Sequence, residues 1–274
     1  MISNIQYINA IPVYRIFVVL QNAIYYFEIK KFKLIQKLET FDNPKGILTI
    51  SSNTYINVVA YPDSKIGHVL IRSFDKETLG TSLVKVHDSR IACLQINNVA
   101  SLLATASEVG TVIRIVNLAD STIALELRRG TDKAEIFSLQ FDFFSKFLTS
   151  TSDRGTVHIF SLDSVKKEQK EGENNVIEGK NQKSALSKIT RFLGLSGTYF
   201  DSEWSFAQLR IGDIKSICTF GGNKNNRIIV VSTDFKYYNA VFDTEKGGEC
   251  EQQQLLNIEL DFEEKKEEDK KNNP

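Results

Sequence analysis

The chain has 274 residues, of which 34 are Lys or Arg and 34 are Asp or Glu, so its formal net charge is zero. No global field draws it to nucleic acid or to an acidic surface, and any anion binding has to be built locally. Its three cysteines, Cys93, Cys218 and Cys250, lie far apart without a CxxC, which argues against a disulfide framework and a zinc site and points to a reducing cytosolic location.

The N-terminal "MISNIQYINAIPVYR" lacks a basic stretch followed by an apolar one, and the apolar runs fall far short of the ~20 residues a membrane helix needs. The expectation is a soluble chain whose membrane contact, if any, is peripheral. Five segments then repeat one pattern: "RIFVVLQNAIYYFEI", "YINVVAYPDSKIGHVLIRSF", "LLATASEVGTVIRIVNL", "FLTSTSDRGTVHIFSL" and "RIIVVSTDFKYYNAVFD". Each is two strand-like runs around a short turn. The turn approaches at Leu20, Ala60, Ser107, Ser152 and Ser232 are spaced 40, 47, 45 and 80 residues apart. Three of these intervals lie near the ~40 to 45 residues of a propeller blade. Further runs precede the pairs ("GILTIS", "IACLQIN", "IFSLQFD", "SICTFG") and follow them ("KLIQKLE", "SLVKVH", "ALELRR"), which predicts four strands per repeat. Alternation at period two, with no competing helical stripe, makes the fold all-β: a β-propeller of WD40-like four-stranded blades over residues 1–261.

The long interval arises because residues 163–205 interrupt the fourth blade before its outer strand "FAQLRI". The first half of this insertion is polar. In the second half Leu186, Ile189 and Leu193 fall at i, i+3 and i+7 beside Lys188 and Arg191, as an amphipathic turn or two would show. That turn either packs on the propeller flank or enters a bilayer, and Leu186, Ile189, Phe192, Leu193 and Leu195 are the candidate inserting residues. Residues 262–274 read as a charged, disordered tail.

In "LELRRGTDKAEIFSLQF" an alternating strand ends on Arg128 and Arg129. Neighbouring side chains of a strand leave on opposite sides, so the two guanidinium groups reach different places. Adjacent arginines at a strand end ordinarily just discourage edge pairing. Here, however, Thr156 and His158 share one side of a strand, with Ser152 across the "DRG" turn. Ser107 and Thr111 flank "EVG" one blade earlier. Hydroxyl and imidazole groups donate to phosphate oxygens, and guanidinium adds charge-assisted bonds of roughly 1.5 to 3 kcal/mol each. The pattern predicts two anion pockets flanking the arginine pair. His68 reads as structural. The "GLSG" and "SVKK" stretches are chance matches to catalytic motifs, and no carboxylate or Cys/His cluster suggests an enzyme, a metal or a cofactor.

"LRRG", preceded by "LATASEVGTVIRI" and followed after 25 residues by "GTVHIF", resembles the PROPPINs, the phosphoinositide-binding, WD-repeat-like propellers of autophagy. "ETFDNPKG" at 39–46, "GHVLI" at 67–71, "FLGLSGTYFDSEWSFAQLRI" at 192–211 and "KYYNAVFD" at 236–243 agree, so the resemblance covers nearly all of residues 14–260. It implies a non-enzymatic effector of phosphatidylinositol 3-phosphate or the 3,5-bisphosphate, peripheral on autophagosomal, endosomal or vacuolar membranes. The first headgroup site would use Arg128 with His87, Ser107, Thr111 and Arg114, the second Arg129 with Ser152, Thr156 and His158. The insertion at 163–205 would be the family's membrane-inserting loop. Seven blades are implied, yet the match begins in what looks like the third, leaving about five. This predicts uncovered sheet faces, a surface for autophagy partners that is partly missing, and either a truncated gene model or a shortened paralogue. A propeller scaffold for protein partners that has lost lipid binding is the alternative.

Overall fold

The computed structural model describes residues 5–11, 15–40, 42–52, 58–74, 80–163, 202–221 and 226–258. Among these, period-two sequence becomes strand throughout. The first sheet contains β1 (Ile5–Ile11), β2 (Arg15–Leu20), β3 (Ala23–Glu28) and β4 (Lys33–Glu39), paired in chain order. The second repeats that order with β5 (Thr49–Ile50), β6 (Val58–Pro62), β7 (His68–Ser73) and β8 (Thr81–Lys85). The third holds β9 (Ile91–Ile96), β10 (Leu102–Ser107), β11 (Val112–Asn117) and β12 (Thr122–Arg128). In the fourth, β13 (Ile136–Phe141), β14 (Phe147–Ser152) and β15 (Thr156–Ser161) are closed by β17 (Ala207–Arg210). The fifth is β18 (Ser216–Phe220), β19 (Arg227–Ser232), β20 (Lys236–Val241) and β22 (Glu251–Asn257). These are five four-stranded antiparallel blades, the all-β propeller architecture expected from the repeat.

Two short strands go beyond that expectation. β16 (Glu203–Trp204) adds in parallel to β12 at the edge of the third blade, pairing Leu127 with Glu203 and Arg128 with Trp204. β21 (Gly248–Glu249) adds in the same way to β17 of the fourth. The end of the long insertion therefore belongs to the blade before the one it interrupts.

Blades pack face to face because alternate residues of each sheet are apolar and point to opposite neighbours. Four buried clusters result. Phe17, Ile24 and Tyr26 meet Ile50 and Val59 between blades one and two, and Val69 and Val84 meet Leu94 and Leu103 between two and three. Ile113 and Leu127 meet Leu139 and Phe160 between three and four, and Val157 and Ile159 meet Val230 and Tyr238 between four and five. Among the described residues no cluster joins blade five to blade one. Ile217, on the inner strand of blade five, is 62% exposed, and Val231 and Tyr237 on the same face are half-buried. Val18 and Tyr25 on the far face of blade one are half-buried too.

Glycine is required at the two turns that border the candidate sites. Gly110 and Gly155 have φ of 66° and 65°, and a Cβ would lie 1.8 Å from the Ala134 carbonyl oxygen at the first and 2.5 Å from the Gly212 carbonyl carbon at the second. The connection before β11 has four residues, Glu108 to Thr111, whereas that before β15 has three, Asp153 to Gly155. Thr111 consequently lies in the turn, while Thr156 opens its strand.

Candidate functional site

Leu127 decides where the arginines go. It is fully buried in the cluster between blades three and four. Strand alternation therefore sends Glu126 and Arg128 towards blade two, and Arg129 follows Leu127 towards blade four.

On the blade-two side a polar row crosses the third sheet, with Thr105 opposite Arg114 and Arg114 opposite Glu126. Arg114 donates from Nε and Nη2 to Glu126 Oε2 at 3.0 and 2.9 Å, and from Nη1 to the Val86 carbonyl of the second blade's exit. Arg128 Nη2 lies 3.9 Å from Glu126 Oε1, so one carboxylate bridges both guanidinium groups. His87 completes this side, with Nε2 3.0 Å from Thr105 Oγ1. That hydroxyl gives its single proton to the Arg114 carbonyl at 3.1 Å, so His87 Nε2 carries the hydrogen. Burial, with Arg114 alongside, presses the His87 pKa down to about 4. The imidazole is neutral at pH 7. Ser107 is buried at the end of β10, and Thr111 is half-buried with its carbonyl accepting from the Arg129 amide at 2.9 Å.

On the blade-four side Arg129 Nε donates to the Gly110 carbonyl at 2.9 Å and Nη2 to the Asp132 carbonyl. Burial first, and Arg154 second, lower its pKa. The facing row of the fourth sheet pairs Ser150 with His158 and His158 with Gln208. His158 Nδ1 is 3.2 Å from Ser205 Oγ, and burial together with the Arg129 charge brings its pKa to about 4. Ser152 is buried beside the turn, its Oγ accepting from the Arg154 amide at 3.3 Å, and Thr156 is opposite Arg210. Arg154 itself is held by the Lys133 carbonyl, to which Nη2 donates at 2.7 Å.

The candidate residues thus divide between two faces. His87, Arg114 and Arg128 lie on the first; Arg129 and His158 are electrostatically coupled on the second. Four contributors were absent from the sequence expectation: Glu126, Thr105, Ser202 and Ser205. Ser202 Oγ accepts from Arg128 Nε at 2.9 Å, so four consecutive residues touch the first face at one end and His158 at the other. Phe206 is in the core between blades four and five, while Trp204 is half-buried at the sheet edge. His68 bonds the Ile66 carbonyl at 2.9 Å, outside both faces. Leu186, Ile189, Phe192, Leu193 and Leu195, like residues 262–274, lie outside the described residues.

A family model described as PROPPIN matches residues 1–256. The chain is 33% identical over 248 residues to autophagy-related protein 18 of Dictyostelium discoideum, covering 86% of this chain and 65% of that protein. It is 32% identical over 243 residues to WD repeat domain phosphoinositide-interacting protein 2 of Xenopus laevis, covering 86% of this chain and 55% of that one. It therefore spans about 55 to 65% of the length of these relatives. Among solved structures, a complex of KlAtg21 with the coiled coil of AgAtg16 superposes with a TM-score of 0.70 at 18% identity, covering 94% of this chain and 72% of that chain. Kluyvelomyces marxianus Hsv2 gives 0.67 at 18% identity, covering 95% and 73%. At such identities the structural likeness speaks for the fold alone.

Proposed function

Because the chain belongs to the PROPPIN family, we propose that it is a non-enzymatic peripheral membrane effector that reads 3-phosphorylated phosphoinositides, phosphatidylinositol 3-phosphate or the 3,5-bisphosphate, in autophagy or endosomal trafficking. The observation that carries this reading is the partition of Arg128 and Arg129 to opposite faces, each lined with hydroxyl and imidazole groups. The first site comprises His87, Ser107, Thr111, Arg114 and Arg128, and the second Arg129, Ser152, Thr156 and His158. One headgroup binds weakly and reversibly. Two on one surface raise the overall affinity through effective concentration, and insertion by residues of 163–205 adds apolar burial. Proteins of the autophagy machinery are the partners this effector would assemble, in keeping with a neighbour solved with a coiled coil.

Sedimentation with vesicles containing phosphatidylinositol 3-phosphate tests the reading. Arg128→Thr with Arg129→Thr is expected to abolish pelleting, and pelleting equal to that of the unaltered chain refutes the proposal. Leu193→Asp is expected to weaken pelleting while soluble headgroup binding persists.

One observation favours a second reading, a protein-binding scaffold without lipid recognition: Arg128 and Arg129 are each only 6% exposed and bonded within the protein. Vesicles bound equally well by the double variant and by the unaltered chain, or by neither, would favour it.

A further inference from the structure

The two faces are built on the same register but differ in charge at the middle and outer strands. Thr105, Arg114 and Glu126 lie in a row across the third blade, and Ser150, His158 and Gln208 form the corresponding row across the fourth. Glu126 thus stands where the second face has a neutral amide. Its carboxylate bonds Arg114 through two nitrogens and lies 3.9 Å from Arg128. The Glu126 side chain is only 17% exposed, so water screens these attractions weakly. Gln208 instead turns its amide to Glu249, donating from Nε2 at 2.8 Å. Arg129 donates to the two carbonyls of Gly110 and Asp132, and the carboxylates of Asp153 and Asp132 act on it electrostatically without a direct ion pair among the described residues.

Resting on the headgroup reading above, we infer that Glu126 is a resident counter-anion of the first site. A phosphomonoester approaching Arg114 and Arg128 meets a carboxylate of its own sign, already bonded to the donors it requires, and has to displace it. Breaking those charge-assisted bonds and bringing two anions together both weaken binding. The second site has carboxylates nearby, Asp153 and Asp132, but among the described residues none is bonded to its guanidinium. The sites therefore fill in order: second at low ligand concentration, first at high. Two adjacent arginines of identical type become a tight reader and a conditional one, and the conditional site responds to headgroup density.

The test uses the full chain with soluble inositol 1,3-bisphosphate, beside inorganic phosphate, by titration calorimetry. Arg129→Thr isolates the first site, and adding Glu126→Gln is expected to tighten inositol 1,3-bisphosphate about tenfold, with a parallel gain for inorganic phosphate. Reciprocally, Arg128→Thr isolates the second site, and adding Gln208→Glu is expected to weaken it about tenfold. Glu126→Asp keeps the charge and is expected to show no gain. Failure of either substitution to move its site in the stated direction, in a chain that still folds, overturns the inference; if one variant fails to fold, the other decides. A gain with inorganic phosphate alone also overturns it, since the site would then read free phosphate. If the unaltered chain binds neither probe, the headgroup reading falls and this inference with it. If binding is lost in the double arginine variant yet indifferent to Glu126→Gln and Gln208→Glu, only this inference falls.

Discussion

The third and fourth blades share the hairpin pattern "GTVIRI" and "GTVHIF" but place different charged groups in the row that crosses them. In the third, two arginines share a carboxylate that crosses the sheet beside them. In the fourth, an imidazole stands at the Arg114 position, an amide at the Glu126 position, and the approaching Arg129 feels the cation of Arg154 together with the carboxylates of Asp153 and Asp132. Cross-strand partners, more than the residues of the recognisable motif, set the charge that a ligand meets. A motif read along the chain therefore describes half of a site. The other half comes from the strand next door.

Leu127→Ala attacks the pivot common to both blades and should have the largest effect. Removing a fully buried leucine side chain is expected to cost about 3 kcal/mol in urea unfolding, within the usual range of roughly 2 to 5. Headgroup binding at both sites should fall together; loss at one site alone would mean that Leu127 does not partition the arginines.

Acid should act on the two blades alike, which is the one respect in which they match. His87 and His158 both have native pKa values of about 4, below the ~6.5 of an unfolded histidine. Between pH 6.5 and 4 the unfolded chain binds protons that the native chain refuses. The stabilising contribution is therefore complete above pH 6.5 and declines as the pH falls towards 4. For the more buried His87 it amounts to about 2 to 3 kcal/mol, and His87→Asn should flatten that part of the thermal midpoint against pH. A profile unchanged by the substitution would show that His87 is not buried neutral.

Single arginine variants sharpen the contrast further. On vesicles of one lipid composition Arg129→Thr should weaken binding about 30-fold and Arg128→Thr about 5-fold, the difference amounting to roughly 1 kcal/mol. Equal losses, or the reverse order, would contradict the unequal-site picture. The smallest effect belongs to Ser205→Ala, which removes the hydroxyl beside His158 Nδ1. A loss of about 1 kcal/mol or less is expected, together with a shift of the His158 titration, followed by NMR, that His87 does not share.

Much of this was legible because it follows from local rules. Period-two alternation gives the blades, Gly67, Gly110 and Gly155 mark the hairpins of blades two to four, and alternation at Leu127, Arg128 and Arg129 sends the guanidiniums apart. The innermost strand of the first blade, Ile5–Ile11, and the outer strand of the fifth, Glu251–Asn257, went unread. The second of these is exposed along its whole length, so no apolar alternation marks it. Glu126 looked like one more polar residue of an edge strand, and its role appears only once register sets it opposite Arg114. Ser202 and Ser205 were hidden for a different reason: 74 residues separate Ser202 from Arg128 and 47 separate Ser205 from His158. The four-residue turn before β11 breaks the one-to-one correspondence of Thr111 with Thr156 that spacing alone suggested.

Among the described residues, four buried interfaces give each of the middle three sheets a neighbour on both faces. A sheet packed on both faces opens less readily than one packed on a single face, and its amides exchange more slowly. Arg128 closes the central sheet, with two more on either side. Arg128 therefore ends a strand of a sheet packed on both faces, where the geometry of the candidate site is held most firmly.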